Sequence, residues 1–437
     1  MTVTTRFAPS PTGRLHVGNI RTALHTALFA LATDGRFLLR IDDTDAERST
    51  EQFVEDNVAD LGWLGLAPDS SVRQSDRFDL YEREFDRLRQ SGRVYPCFET
   101  PQELELRRKV LLGRGLPPVY ERQPEGTPAP EGIEPHWRFR LDHGAAIEWD
   151  DLIRGHQRFD PALISDPVIR RADGSWLYLL PSVIDDIDLG ISHVVRGEDH
   201  VSNSAVQIQM FEALGAPPPR FAHEALLVAA EGKLSKRLGS IGVEAARETG
   251  VEPMALLSVL ARIGTSRPVE AEHRLADLAR DFDFAYFGRA PAHFDFAEVE
   301  QVNARLLHSL DFAEVAGRLP AGVGEAEWQL LRGNVAHLGE VADWLPILQA
   351  DIAPVDLSEE DKAFLGEAAA IVAKLDWADD PWPPIVAALK ATGRKGRALF
   401  HPVRMALTGR ESGPELAPLV RLLGRETTLA RLQAAGL

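Results

Sequence analysis

The chain has 437 residues, a formal net charge of −18, 44% hydrophobic residues and a single cysteine, Cys97. That length exceeds one ordinary core and calls for several compact units, and no apolar run approaches the roughly 18 residues of a membrane span. One cysteine excludes an internal disulfide and a multi-cysteine zinc site, and Met1-Thr2-Val3-Thr4-Thr5-Arg6 runs straight into a strand-like segment, the expectation for a cytoplasmic protein without membrane association.

Val3 to Ala8 reads as extended, Pro9 to Gly13 as a turn, and Ile20, Leu24, Ala27, Leu28 and Leu31 as one face of a helix closed by Asp34-Gly35. Phe37-Leu38-Leu39-Arg40-Ile41 suits a buried parallel strand and completes a βαβ unit. Ser49 with Gln52 predicts a capping box for a helix to about Leu64, and a second helix is expected from Arg77 to Ser91. From Val94 to Ile184 the texture changes: Pro and Gly cluster, Trp137 to Leu141 alternates, and Asp173-Gly174 predicts a hairpin turn into Trp176-Leu177-Tyr178. Ile191 to Arg196 reads as a strand ending in Gly197-Glu198-Asp199-His200, followed by a helix from Asn203 to Leu214 and a strand over Ala225 to Val228. The interrupted nucleotide fold thus resumes. Beyond Gly242 the pattern is helical, with no strand-period stretch of useful length. The stretch from Pro381 to Arg410 lacks Asp and Glu but carries Lys390, Arg394, Lys395, Arg397, Arg404 and Arg410, either a nucleic-acid face or a solvated helix surface.

Two segments carry chemistry. A glycine-bearing turn between a strand and a helix start offers free N–H groups and the positive end of a helix dipole, which suits phosphate, and here it carries His16, Gly18 and Asn19. Gly18 lets an adenine lie against the backbone. Far downstream, Lys233-Leu234-Ser235-Lys236-Arg237 places two ammonium groups where a breaking triphosphate needs its charge offset. The acidic run Asp185, Asp186 and Asp188, after a strand-like segment, is read as capping and salt-bridge material, so no protein-held metal is assigned.

On these residues the chain resembles the class I aminoacyl-tRNA synthetases, and within them the glutamyl branch. His16-Val17-Gly18-Asn19 is similar to the HIGH signature and Lys233 to Arg237 to the KMSKS loop. The resemblance continues through Phe7 to Gly13, Arg40 to Asp45, Val195 to His200 and Pro402 to Gly409, nearly the whole chain. It implies a multidomain protein: an α/β Rossmann-like catalytic domain with an inserted α+β acceptor-binding domain, then an all-α C-terminal region. The expected boundaries are 1–95 and 185–242 for the catalytic halves, 96–184 for the insertion, 243–310 for a helical stem-contact region and 311–437 for an anticodon-binding domain.

The implied reaction activates L-glutamate with ATP to glutamyl-adenylate and transfers it to the 3′ end of tRNA(Glu), with tRNA(Gln) left open as a second acceptor. The resemblance assigns catalysis to His16, Asn19, Lys233 and Lys236, ATP binding to His16, Gly18, Asn19, Asp199 and Lys236, and substrate binding to Arg6, Ala8, Ser10, Asp42, Tyr178, Ser182 and Arg196. Arginine forks at 6 and 196 suit a carboxylate, and Asp42 suits an ammonium. Mg²⁺ is expected to enter with ATP, zinc is not expected, and the protein is expected to act as a monomer. A shortened paralogue is excluded by the long stretch after Arg237. A glutamine-specific relative would carry β-barrels there instead of helices.

Overall fold

The computed structural model describes residues 2–124, 129–229, 242–350, 352–353, 355–377 and 380–437. They divide into two compact units, Met1–Glu248 with Leu256–Phe296, and Thr249–Ala255 with Ala297–Leu437. No helix among the described residues is long and apolar enough to cross a membrane.

In the first unit β1 (Thr4–Phe7), α1 (Val17–Ala32), β2 (Arg36–Ile41), α2 (Glu51–Trp63) and β3 (Ser70–Arg73) make successive βαβ units. There follow α3 (Phe78–Gln90), β4 (Val94–Cys97), α4 (Pro101–Gly113), β5 (His136–Phe139), β6 (Ile147–Asp151), β7 (Gly155–Phe159) and β8 (Val168–Arg170). Then α5 (Leu179–Asp188), β9 (His193–Gly197), α6 (Val201–Ala213) and β10 (Arg220–Glu224) return the chain to the first sheet. Its order is β10-β9-β1-β2-β3 with every pairing parallel. The intervening strands lie elsewhere: β4, β5 and β8 form an antiparallel sheet, and β6 with β7 a hairpin. After β11 (Leu227–Ala229) come α7 (Val243–Glu248), α8 (Pro253–Arg262), α9 (Leu275–Ala279) and β12 (Ala292–Phe294), which pairs with β11.

The central sheet is parallel because both faces are covered, and consecutive residues feed opposite faces. Leu38, Val194 and Phe221 enter one apolar cluster, while Val195 and Ala222 enter another with Phe284 and Phe287. The strand order reverses between β1 and β9. Such a switch point opens a crevice at the carboxyl ends of the strands, where ligands of open α/β sheets bind.

Local details differ from the sequence expectations. Thr50, not Ser49, caps α2: its N–H is taken by Pro11 O at 3.3 Å, holding it extended, and its hydroxyl accepts from the Phe53 amide. Asp34 takes the left-handed turn after α1, with φ 48°. The hairpin turn expected at Asp173-Gly174 is present but short: the Gly174 amide donates to Arg171 O at 3.0 Å, the Arg171 amide donates to Ser175 O at 2.9 Å, Trp176 bridges to Arg170, and the chain then enters α5. Asp185, Asp186 and Asp188 therefore lie on a helix, not after a strand. The strand expected at Ala225 to Val228 begins only at Leu227, as β11, with β10 ending before it at Glu224, and the short β12 sits in the stretch read as helical almost throughout.

The second unit is helical: α10 (Phe296–Ser309), α11 (Phe312–Val315), α12 (Glu325–Leu331), α13 (Leu345–Gln349), α14 (Glu359–Val372), α15 (Trp382–Lys390), α16 (Arg397–Thr408) and α17 (Leu416–Ala435). Trp328 is fully buried in the same core as Leu365, Leu399, Leu407 and Leu419, and its indole N–H donates to Leu310 O at 3.0 Å. Half of the basic stretch is structural. Arg394 pairs with Asp361 and Glu360, Arg404 donates to Pro414 O, and Arg410 stacks over Trp344, whereas Lys390, Lys395 and Arg397 are exposed.

Replacing Trp328 with Ala removes a fully buried ring and its hydrogen bond. The expected cost is about 3–5 kcal/mol. Urea denaturation followed by circular dichroism checks it.

Candidate active site

A cleft of about 960 Å³ lies at the switch point, lined from β1, the following loop, α1, the end of β2, and the ends of β9 and β10. It brings together Arg6, Ala8, Ser10, His16, Gly18, Asn19, Asp42, Tyr178, Arg196 and Asp199. Ser182 is placed behind this lining: fully buried on α5, its hydroxyl accepts from Arg40 at 2.9 Å. Lys233 and Lys236 lie outside the described residues.

One wall is the N-terminus of α1. His16 is its N-cap, and its Nδ1 accepts from the Gly18 and Asn19 amides at 3.1 and 3.4 Å, while Asn19 Oδ1 accepts from the His16 amide. These bonds fix two donors. With Nδ1 acting as acceptor, the neutral ring carries its proton on Nε2, and with Oδ1 engaged, Asn19 has its NH₂ left to give. Partial burial lowers the His16 pKa, which favours that neutral ring. A Cβ on Gly18 would lie 3.0 Å from the His16 ring, so a side chain there would crowd the imidazole at its cap. Gly242 is needed for a similar reason, since a Cβ would stand 2.3 Å from Leu15 O where the two segments bridge. No acidic residue occupies the first turn of α1, so the dipole's positive end is not cancelled.

The other wall is cationic. Arg40 is fully buried and grips Asp42 through two bonds, at 2.6 and 3.1 Å, and Asp186 through a third at 2.7 Å. Asp186 also accepts from Arg6 Nε at 3.1 Å. Burial pushes the Asp42 pKa up, with Arg40 opposing the shift. Asp185 is held by Gln74, Arg77 and Tyr81. The acidic run is thus salt-bridge material.

Arg196 differs. It is 7% exposed, and among the described residues no carboxylate stands within ion-pair distance. Its partners are neutral: the Tyr178 hydroxyl at 2.9 Å, the Ser204 hydroxyl and His223 Nε2. Burial lowers its pKa, and Arg6 adds like-charge repulsion. Arg6, Arg40 and Arg77 thus share Asp42, Asp185 and Asp186, whereas Arg196 has no carboxylate partner among the described residues. The surplus positive charge borders the cleft and would be offset by an anion entering it.

Sequence reasoning missed Arg40, Asp151, His223, Ser204 and the buried pair of His25 with Glu224. Glu224 lines the cleft, accepts from Thr22 at 3.2 Å, and ties α1 to the end of β10. The available signal was polarity: Arg40 interrupts an apolar strand, and His223-Glu224 ends another, positions where an unpaired charge would be costly.

An anion pocket beside a helix N-terminus suits joining a carboxylate to a nucleotide phosphate, the chemistry of the class I ligases that charge tRNA. Residues 2–296 match the family of class I tRNA synthetases (E and Q), catalytic domain, and residues 274–436 match the anticodon binding domain family. The chain belongs to this class I synthetase family for glutamate and glutamine. It is 62% identical to glutamate–tRNA ligase 2 of Sphingopyxis alaskensis over the whole of both chains, and 58% identical to glutamate–tRNA ligase 1 of Rhizorhabdus wittichii over 99% of each. A crystal structure of a glutamate tRNA ligase from Elizabethkingia meningosepticum in complex with its amino acid is similar, with TM-score 0.83 and 26% identity over 100% of this chain and 99% of that one.

The His16 cap titrates. Its pKa is lowered in the folded state, so the folded protein binds fewer protons there than the unfolded chain, and stability rises with pH. The cap's contribution is fully present above the unfolded value near 6.5 and is lost as pH falls through the folded one. His16→Asn keeps a capping side chain without the titration. The fall in Tm from pH 7.5 to 5.5 is expected to be larger in wild type than in the variant, as read by scanning calorimetry.

Proposed function

We propose that the chain is a glutamate–tRNA ligase. The observation that carries this reading is Arg196, a buried cation without a carboxylate partner among the described residues, bordering the same cleft as the His16-capped helix N-terminus. The names of the relatives at 62% and 58% identity support it. In the first step the α-carboxylate oxygen of glutamate bonds to the α-phosphorus of ATP as the bond to the β-phosphate bridging oxygen breaks, and pyrophosphate leaves. In the second a terminal ribose hydroxyl of tRNA bonds to the acyl carbon, AMP leaves, and the hydroxyl proton is released.

Catalysis rests on positioning and electrostatics. His16 Nε2–H and the Asn19 NH₂ donate to phosphate oxygens, Gly18 admits the adenine, and Asp199 takes part in holding ATP. Lys233 and Lys236 offset the charge of the departing pyrophosphate. Arg196, with Tyr178 and Arg6, receives the side-chain carboxylate of glutamate; Asp42 receives its ammonium; Ala8 and Ser10 border it; and Ser182 acts from behind through Arg40. Mg²⁺ arrives with ATP and screens its phosphates.

The partners in this reading are tRNA(Glu) and L-glutamate, with the protein a cytoplasmic monomer. Residues 96–184 bind the acceptor end, 243–310 contact the stem, and 311–437 read the anticodon through the face that holds Lys390, Lys395 and Arg397. The exposure of these three basic residues, in an otherwise acidic protein, supports the last assignment.

Pyrophosphate exchange with ATP, glutamate and cognate tRNA tests the reading, and no glutamate-dependent exchange would overturn it. Arg196→Ala is expected to raise the KM for glutamate at least 100-fold with the KM for ATP within about threefold, because a buried charge pair is lost. Lys236→Ala is expected to lower kcat at least 100-fold while tRNA binding, measured by filter retention, stays near wild type.

A further inference from the structure

We infer that Asp151, His223 and Ser204 form a buried relay of positioning residues that aims Arg196 at an anionic side chain without cancelling its charge, and so sets the preference for glutamate over glutamine. The inference rests on the proposed role of Arg196 in the glutamate pocket.

Donor and acceptor counting establishes the relay. His223 Nε2 faces Arg196 Nε at 3.4 Å and the Ser204 hydroxyl at 2.6 Å. A guanidinium can only donate, so Nε2 carries the lone pair and the ring proton sits on Nδ1. Nδ1 then donates to Asp151 Oδ2 at 2.5 Å. The other oxygen of Asp151 accepts three backbone amides, from Ile153, Arg154 and His223, at 3.0, 2.9 and 3.2 Å. Ser204 closes the arrangement by accepting from Arg196 Nη2. Both Asp151 and His223 have side chains with no exposure, so neither can exchange these partners for water.

The order of groups matters. Asp151 is the carboxylate of this cluster, and the imidazole stands between it and Arg196. A carboxylate touching Arg196 directly would occupy the fork that a substrate needs. With a neutral ring interposed, two edges of the guanidinium are held, and Tyr178 holds a third position. Burial lowers the His223 pKa, and Arg196 adds to that, while the Asp151 bond opposes it. A protonated ring would turn an N–H toward the guanidinium, donor against donor and cation against cation. Asp151 belongs to the β6–β7 hairpin, not to the central sheet, and is brought to β10 by the bond from the Leu152 amide to Phe221 O at 2.9 Å. A residue of the interrupting segment thus orients the arginine at the end of β9.

Asp151→Asn is the decisive variant, since an amide keeps the size but lets the ring take the other tautomer. Pyrophosphate exchange by the full chain with cognate tRNA, glutamate varied, and glutamine as competitor gives the readouts. The expected result is a rise of at least tenfold in the KM for glutamate, kcat and the KM for ATP within about threefold, and a fall of at least fivefold in the ratio of glutamine Ki to glutamate KM. Asp151→Glu, which restores the anion, is expected to recover part of both. An unchanged KM for glutamate, or equal losses in all parameters with no recovery in Asp151→Glu, overturns the relay. If Asp151→Asn does not fold, Ser204→Ala decides. A threefold or larger rise in the KM for glutamate at unchanged Tm supports the relay, and no rise overturns it. Absence of exchange in the wild type instead overturns the enzymatic reading itself.

Discussion

The structure depends on a guanidinium that has no contact with water. Arg40 sits in β2, an inner strand of the parallel sheet, fully buried, and its desolvation is offset by Asp42, Asp186, the more distant Asp185 and the Ser182 hydroxyl and carbonyl together. Those partners come from the end of its own strand and from α5, which arrives after the whole interrupting segment. Removing one partner would leave a charge stranded in low dielectric, so the network ties the two halves of the nucleotide fold to each other. Because Asp186 is shared with Arg6, the network also uses up the acidic groups nearby. Arg196 is left as the cation in excess.

The end of β10 serves both walls of the cleft, by the alternation of a strand. His223 turns to Arg196 and Asp151, and Glu224, the next residue, turns to His25 and Thr22 on α1. Burial alone would raise the Glu224 pKa, but His25, Arg21 and the Thr22 hydroxyl hold it below the usual range. A two-residue segment therefore sets the arginine on one side and the capped helix on the other. Small shifts of β10 would be felt at both.

A net charge of −18 sits uneasily with anionic ligands, yet the charges are segregated. At the cleft the local balance is positive because Asp42 and Asp186 are engaged by Arg6 and Arg40, Arg196 has no carboxylate partner among the described residues, and the helix start carries no acidic residue. In the helical unit much of the apparent basic stretch is spent internally, on Asp361, Glu360 and backbone carbonyls. Summed charge thus describes neither surface.

The sequence by itself determined the local elements and the phosphate-binding turn. The 3.6-residue spacing from Ile20 to Leu31, the apolar run at Phe37, and a Gly-bearing loop with His16 depend on neighbours in the chain, which is why β1, α1 and β2 fall where periodicity puts them. Cap choice was legible only to within a residue, because Pro11 O, distant in sequence, selects Thr50 over Ser49. What tertiary structure alone decided is which charges cancel. Arg6 and Arg196 look alike in sequence, each a lone basic residue in a short strand-like segment, but one finds Asp186 across 180 residues and the other finds only neutral partners. Pairing of buried charges is a matter of distance in space and of desolvation, and neither is written in local spacing.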